Sequence, residues 1–141
     1  MSKNYRISRS LVIHADQEKV FKIMTDVEHW NRWTASVKSA TLLNTKVLSL
    51  NAKVKMYQPK LLPVIWEVTA MEENKSFTWV AISPGLIMTG EHYLEKTENG
   101  TLVKLSFTYK GLLAGLAYWL TSALTVKYVG MEINGLKNEC S

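Results

Sequence analysis

Apolar and polar residues alternate from the start of the chain. Over residues 3 to 13, Tyr5, Ile7, Leu11 and Ile13 share one face, and Arg6, Ser8 and Ser10 share the other. That period of two is the signature of a half-buried strand. Arg9 interrupts the apolar face and marks either an opening or a bulge. The period then lengthens. Asp16 suits a helix N-cap and Glu18 its first turn, and Val20, Phe21, Ile23, Met24 and Val27 form a helical stripe. A short second helix is expected over Glu28 to Trp33.

Strands come next. "SVKSATLL" and "LSLNAKVKMYQ" are joined by a turn at Asn44-Thr45-Lys46, and Pro59 and Pro63 then interrupt the pattern. "VIWEVTAM" sets Val64, Trp66, Val68 and Ala70 against Glu67 and Thr69, and Glu72 to Lys75 form a polar turn. "SFTWVAI" puts Phe77, Trp79 and Ala81 on one face, before a turn at Pro84-Gly85. "LIMTGEHYLEK" sets Met88, Gly90, His92 and Leu94 against Thr89, Glu91, Tyr93 and Glu95. Asn99-Gly100 marks a hairpin. "TLVKLSFTYK" then sets Val103, Leu105, Phe107 and Tyr109 against Lys104, Ser106, Thr108 and Lys110. A long apolar helix closes the chain near Asn138, with Leu113, Leu116, Leu120, Leu124 and Met131 at helical spacing. One strand, two helices, about six strands and a long helix argue an α+β fold, with one concave antiparallel sheet wrapped around one helix.

Composition narrows the picture. The 141 residues, 47% of them apolar, suit a single domain spanning 1–141. At that size folding buries roughly 70% of the extended-chain surface, enough for a core with a hole in it. The net charge of +5 comes from scattered basic residues with no run of five. A nucleic-acid partner, which would want a clustered stripe, is therefore not expected. One cysteine, Cys140, cannot close an intramolecular disulfide, and a reducing cytoplasm fits best. "MSKNYRISRS" has no apolar region of the signal-peptide kind. Residues 111–126, "GLLAGLAYWLTSALTV", carry no charge, but 16 residues fall short of the ~20 a membrane span needs. A buried helix is expected there, with docking on a bilayer or a partner as the alternative.

Three stretches carry a resemblance: "VIHADQEKVFKIMTDVEHWNRW", "WEVTAMEENKSFTWV", and "GTLVKLSFTYKGLLAGL" with the helix that ends in "GLKNE". In this order and spacing the chain resembles the START-like (SRPBCC) superfamily, most nearly its polyketide cyclase/dehydrase and lipid-transport proteins. The resemblance implies a helix-grip fold: a seven-stranded antiparallel sheet curls around the C-terminal helix, and two short helices come after the first strand. It also implies a deep apolar cavity that binds a hydrophobic, lipid- or polyketide-like molecule, and in some members an aromatase/cyclase or dehydratase reaction.

The same resemblance bears on "DVEHWNRWTASV", which holds two of the five tryptophans. A Trp ring buries itself while its N–H seeks a partner. One ring would anchor the short helices, and the other, Trp33, would face the cavity. The inward strand faces supply a wall of Met56, Trp66, Val68, Trp79, Met88, His92, Leu105, Phe107 and Tyr109, with Tyr118 and Trp119 added from the long helix. Aromatic rings and flexible Met suit an adaptable apolar pocket, and equally an ordinary core. His92 is the polar inward residue best placed to orient a ligand or move a proton. It needs a second polar group, for which Tyr109, Tyr118 and Arg9 are candidates. His92 and Tyr109 are thus the candidate catalytic pair. Glu91 and Glu95 point outward, and His14 and His29 read as exposed or capping. No spacing suggests a metal site, a cofactor loop or a nucleophile triad.

Overall fold

The computed structural model describes residues 5–141, so residues 3 and 4 of the expected first strand lie outside the described residues. The elements run β1 (Tyr5–Ile13), α1 (Gln17–Thr25), a 3₁₀ helix (Val27–Arg32), β2 (Ser39–Leu42), β3 (Lys53–Tyr57), β4 (Val64–Glu72), β5 (Ser76–Ser83), β6 (Leu86–Thr97), β7 (Gly100–Lys110) and α2 (Ala114–Cys140). The seven strands form one antiparallel sheet in the order β1-β7-β6-β5-β4-β3-β2. Every neighbouring pair from β2 to β7 is thus a hairpin, and β1 closes on the last strand. The inner face packs on α2, the helix-grip arrangement that the resemblance implies.

Several local expectations change. Asp16 occupies the N-cap of α1 in an extended conformation, but its carboxylate makes no capping hydrogen bond. The second helix is a single 3₁₀ stretch. β2 and β3 are shorter than the alternation implied, and the turn between them spans residues 43–52. Asn44 holds that loop with both ends of its amide: its Nδ2 donates to the Asn51 carbonyl at 3.1 Å, and its Oδ1 accepts from the Lys53 N–H at 2.8 Å. Ala70 is exposed rather than inward, because a β-bulge between Val68 and Ala70 shifts the register by one residue. Arg9 pairs with inward-facing Leu105 but is exposed, as an edge strand allows.

The long helix departs most. Leu113, Leu116 and Leu120 are exposed rather than buried, and Trp119 is 77% exposed. The helix buries its C-terminal half instead, through Val129, Ile133, Leu136 and Cys140. There the close approach of Trp33 requires Gly135: a Cβ on it would lie 2.1 Å from the Trp33 carbonyl oxygen.

This packing has two testable consequences. Gly135→Ala should cost about 1–3 kcal/mol in urea unfolding, since the added methyl meets backbone rather than a movable side chain. Burial pushes the Cys140 thiol from its ordinary 9.0 up to about 11, against the pull of Lys19 and with a smaller push from Glu139. The native thiol should therefore react slowly with a maleimide at about pH 8 and quickly in urea. The folded chain also keeps that proton longer than the unfolded one. The thiol's contribution to stability, intact below pH 9.0, should fall as the pH rises towards about 11.

Candidate cavity and its polar groups

The sheet register builds the cavity wall in rows. Across β4 to β1, Val68, Trp79, Gly90, Phe107 and Ile7 lie side by side. Trp79 fits because its neighbour has no side chain: a Cβ on Gly90 would sit 2.7 Å from the Trp79 Nε1. The next row brings Phe77 beside His92 and His92 beside Leu105. The His92 imidazole stacks on Phe77, with centroids 4.0 Å apart and planes 10° from parallel, and Trp79 meets it edge-on at 5.3 Å. Trp66 stacks on Trp79 at 5.5 Å and takes Phe107 edge-on at 5.8 Å. These rings form a continuous aromatic belt.

Between this belt and α2 lies a cavity of about 400 Å³, within the ~300–1,000 Å³ range of small-molecule pockets. Its wall includes Met56, Trp66, Trp79, Met88, His92, Phe107 and Tyr109 from the sheet, and Ala117, Thr121, Thr125 and Glu132 from α2. The β3–β4 loop contributes Gln58, Lys60, Leu61 and Leu62 at the rim, where Lys60 and Leu62 are exposed. The Tyr128 hydroxyl ties that loop to α2 by donating to the Pro59 carbonyl.

The two tryptophans of the 3₁₀ segment exchange the roles expected of them. Trp30, 1% exposed, lines the cavity and donates its Nε1–H to the Met24 carbonyl at 3.0 Å. Its ring lies 5.5 Å from Trp79 and 5.9 Å from His92. Trp33 ends the 3₁₀ helix, half-buried against Gly135, and does not line the cavity. Trp33 is the C-cap, with φ −125° outside the regular turns, and it docks on Gly135, so only Trp30 reaches inward. Tyr118 also stands outside the wall: it packs between Tyr5, at 4.9 Å, and the edge of Tyr109, at 5.6 Å. Trp119 points to solvent, and Val68 is core rather than wall.

Two polar stations interrupt the apolar lining. At the first, the His92 Nε2 faces the Glu132 carboxylate at 3.4 Å, with the imidazole 5% and the carboxylate 18% exposed. The His92 Nδ1 is buried and has no hydrogen-bond partner among the described residues. Arg9, Tyr109 and Tyr118 are not the groups that meet His92. Glu132 is, and the sequence carried a signal for it: it lies three residues after Val129 and four after Tyr128, on the helix face that those residues bury. At the second station, the Tyr109 hydroxyl meets the Thr121 Oγ1 at 2.8 Å and the Thr125 Oγ1 at 2.7 Å. Thr121 donates to the Ala117 carbonyl at 2.7 Å. One consistent relay therefore has Thr125 donating to Tyr109 and Tyr109 to Thr121, which commits the phenolic proton. Outside the cavity, the His29 Nδ1 lies 2.8 Å from Asp26, and the His14 Nδ1 donates to the Asn99 carbonyl at 2.8 Å. Among the described residues, no three His, Cys, Asp or Glu side chains converge as a metal-binding group.

The geometry meets known proteins at the level of family and fold. Residues 5–135 match the family model described as polyketide cyclase/dehydrase and lipid transport. No curated protein matches the sequence. Among solved structures, a hypothetical protein of Helicobacter pylori, jhp0584, superposes with a TM-score of 0.81 at 15% identity, covering 97% of this chain and 88% of its own. The Zhui aromatase/cyclase of Streptomyces sp. R1128 gives 0.79 at 13% identity, covering 98% and 94%. Major latex-like protein 151 of Panax ginseng gives 0.74 at 13% identity, covering 98% of both chains. At these identities the likeness is one of fold.

The second station makes its own prediction. Tyr109→Phe should cost about 1–3 kcal/mol in urea unfolding, because it leaves the 7%-exposed Thr125 hydroxyl without this partner.

Proposed function

The chain belongs to the polyketide cyclase/dehydrase and lipid transport family, and from that premise we propose that it binds or carries a lipid- or polyketide-like molecule inside its cavity. The observation that carries this reading is the combination of an aromatic belt and one nearly buried His92–Glu132 pair in a single cavity. The belt would supply affinity by burying apolar surface, at about 25 cal/mol per Å² before the costs of ordering. His92 and Glu132 would fix orientation by meeting one polar group of the ligand, since a buried polar group left unmatched costs about 1–3 kcal/mol. Residues 1–141 would act as one ligand-binding domain, and the single cysteine suits a cytoplasmic location.

The second reading is an aromatase/cyclase or dehydratase that uses the same cavity. The His92–Glu132 contact favours it, because an imidazole held by a carboxylate is a competent proton carrier. Catalysis would then consist of folding a flexible chain against the aromatic belt and moving one proton at His92. Tyr109, with its proton committed to the threonine relay, would position substrate rather than donate.

Native mass spectrometry of the protein from its own host, followed by organic extraction, should recover a hydrophobic molecule at one per chain. Recovery of only water-soluble polar metabolites would overturn the proposal. Against the extracted molecule, His92→Ala should weaken binding about tenfold or more by removing a buried hydrogen-bonding group, whereas Trp33→Ala should leave affinity within about twofold. Retained affinity with a lost reaction product in His92→Ala would instead favour the enzyme.

A further inference from the structure

The entry of α2 turns its bulkiest apolar side chains outward. A helix that covers a sheet normally turns its apolar stripe inward and its polar residues to water. Here Thr121 and Thr125 face the cavity, while Leu116, Trp119 and Leu120 face solvent at 53%, 77% and 64% exposure. The segment leading into the helix extends the same surface. Leu112 is 97% exposed, and Leu113 packs on the β5–β6 turn, its N–H donating to the Gly85 carbonyl at 2.8 Å. Nothing in the interior demands these side chains, and each exposed indole or isobutyl group lowers solubility.

The stretch of chain that carries the patch holds charge of one sign. From Gly100 to Met131 there is no Asp or Glu, and the charged residues are Lys104, Lys110 and Lys127. Lys110 precedes the patch and Lys127 ends the exposed stripe on α2; both are exposed. Lys60 stands at the cavity rim on the β3–β4 loop. Apolar residues flanked by lysines, in a stretch of chain without a carboxylate, match an interface whose interior is hydrocarbon and whose surface is anionic. A second copy of the chain matches less well. A two-fold interface sets a patch against itself, so these lysines would face one another.

We propose that the entry of α2 and the β5–β6 turn dock on an anionic lipid surface, with Trp119 and Leu112 inserted among the acyl chains. No helix among the described residues is long and apolar enough to cross a membrane, so the contact is interfacial. Ala117 of the helix entry and Leu86, the β6 residue that follows the turn, also line the cavity, so docking would bring the cavity against lipid. That purpose rests on the ligand-binding reading proposed for the cavity, but the docking itself is measured without any cavity ligand.

The test is flotation of the full chain with vesicles of phosphatidylcholine alone, or with about one quarter phosphatidylglycerol. The protein should float with the anionic vesicles, and about 1 M salt, which cuts the screening length to about 3 Å, should release most of it. The exposed pair Leu112→Glu/Trp119→Glu should lower the bound fraction about tenfold or more while leaving the thermal unfolding midpoint unchanged. Lys110→Glu/Lys127→Glu should abolish the preference for anionic lipid. No flotation with either vesicle, or equal binding to both, would overturn the proposal. So would a lipid-free dimer in sedimentation equilibrium that Leu112→Glu/Trp119→Glu dissolves, which would assign the patch to a second copy.

Discussion

Trp79 can lie across the sheet because residue 90 has no side chain, and the interior is arranged around that contact. The indole occupies the space a Cβ would take, only 2.7 Å from it. From there it stacks on Trp66, meets Phe77 and His92 with its edge, and approaches Trp30. Strands β4, β5 and β6 and the 3₁₀ helix are thereby joined through one ring. A large residue beside a glycine also leaves the row of side chains uneven, and a protein interior packed near crystal density cannot smooth such a step without filling it. The cavity lies over that step, between the belt and α2.

The polar groups of the wall are placed by the same geometry. His92 is fixed by stacking on Phe77 and needs no hydrogen bond to hold its plane. Its Nε2 is therefore directed at Glu132 across the interior. The two side chains face each other 3.4 Å apart and are 5% and 18% exposed. Each gives the other a partner that the apolar lining does not supply. Tyr109 is tied into two threonine hydroxyls of α2. The helix thus presents hydroxyls to its cavity side, and Leu116 and Leu120 are left to the outside.

That division explains why the long helix was the least legible element. Residues 111–126 carry no charge, and a run without charge gives no clue to which face is buried. Spacing alone made Leu113, Leu116 and Leu120 a core stripe, yet the core they would have filled is a cavity bordered by Ala117, Thr121 and Thr125. The same limit separates Trp30 from Trp33. Both are tryptophans at helical spacing, and only the docking of Trp33 against Gly135 decides that Trp30 is the ring turned inward.

By itself the sequence determined the features that local period and turn chemistry control. The strand alternation assigned Met56, Trp66, Trp79, Met88, His92, Phe107 and Tyr109 to one face, and the structure places them all on the cavity wall. The Pro, Gly and Asn turns delimited the strands from β4 to β7, whose pairing is hairpin by hairpin. The tertiary structure decided the contacts between elements distant in the chain. Glu132 of the last helix reaches His92 of β6, Tyr109 reaches Thr125, and the bulge after Val68 turns Ala70 outward. A periodic pattern states which residues share a face, but not what that face meets, because the meeting depends on how a sheet curls and where one helix comes to rest against it.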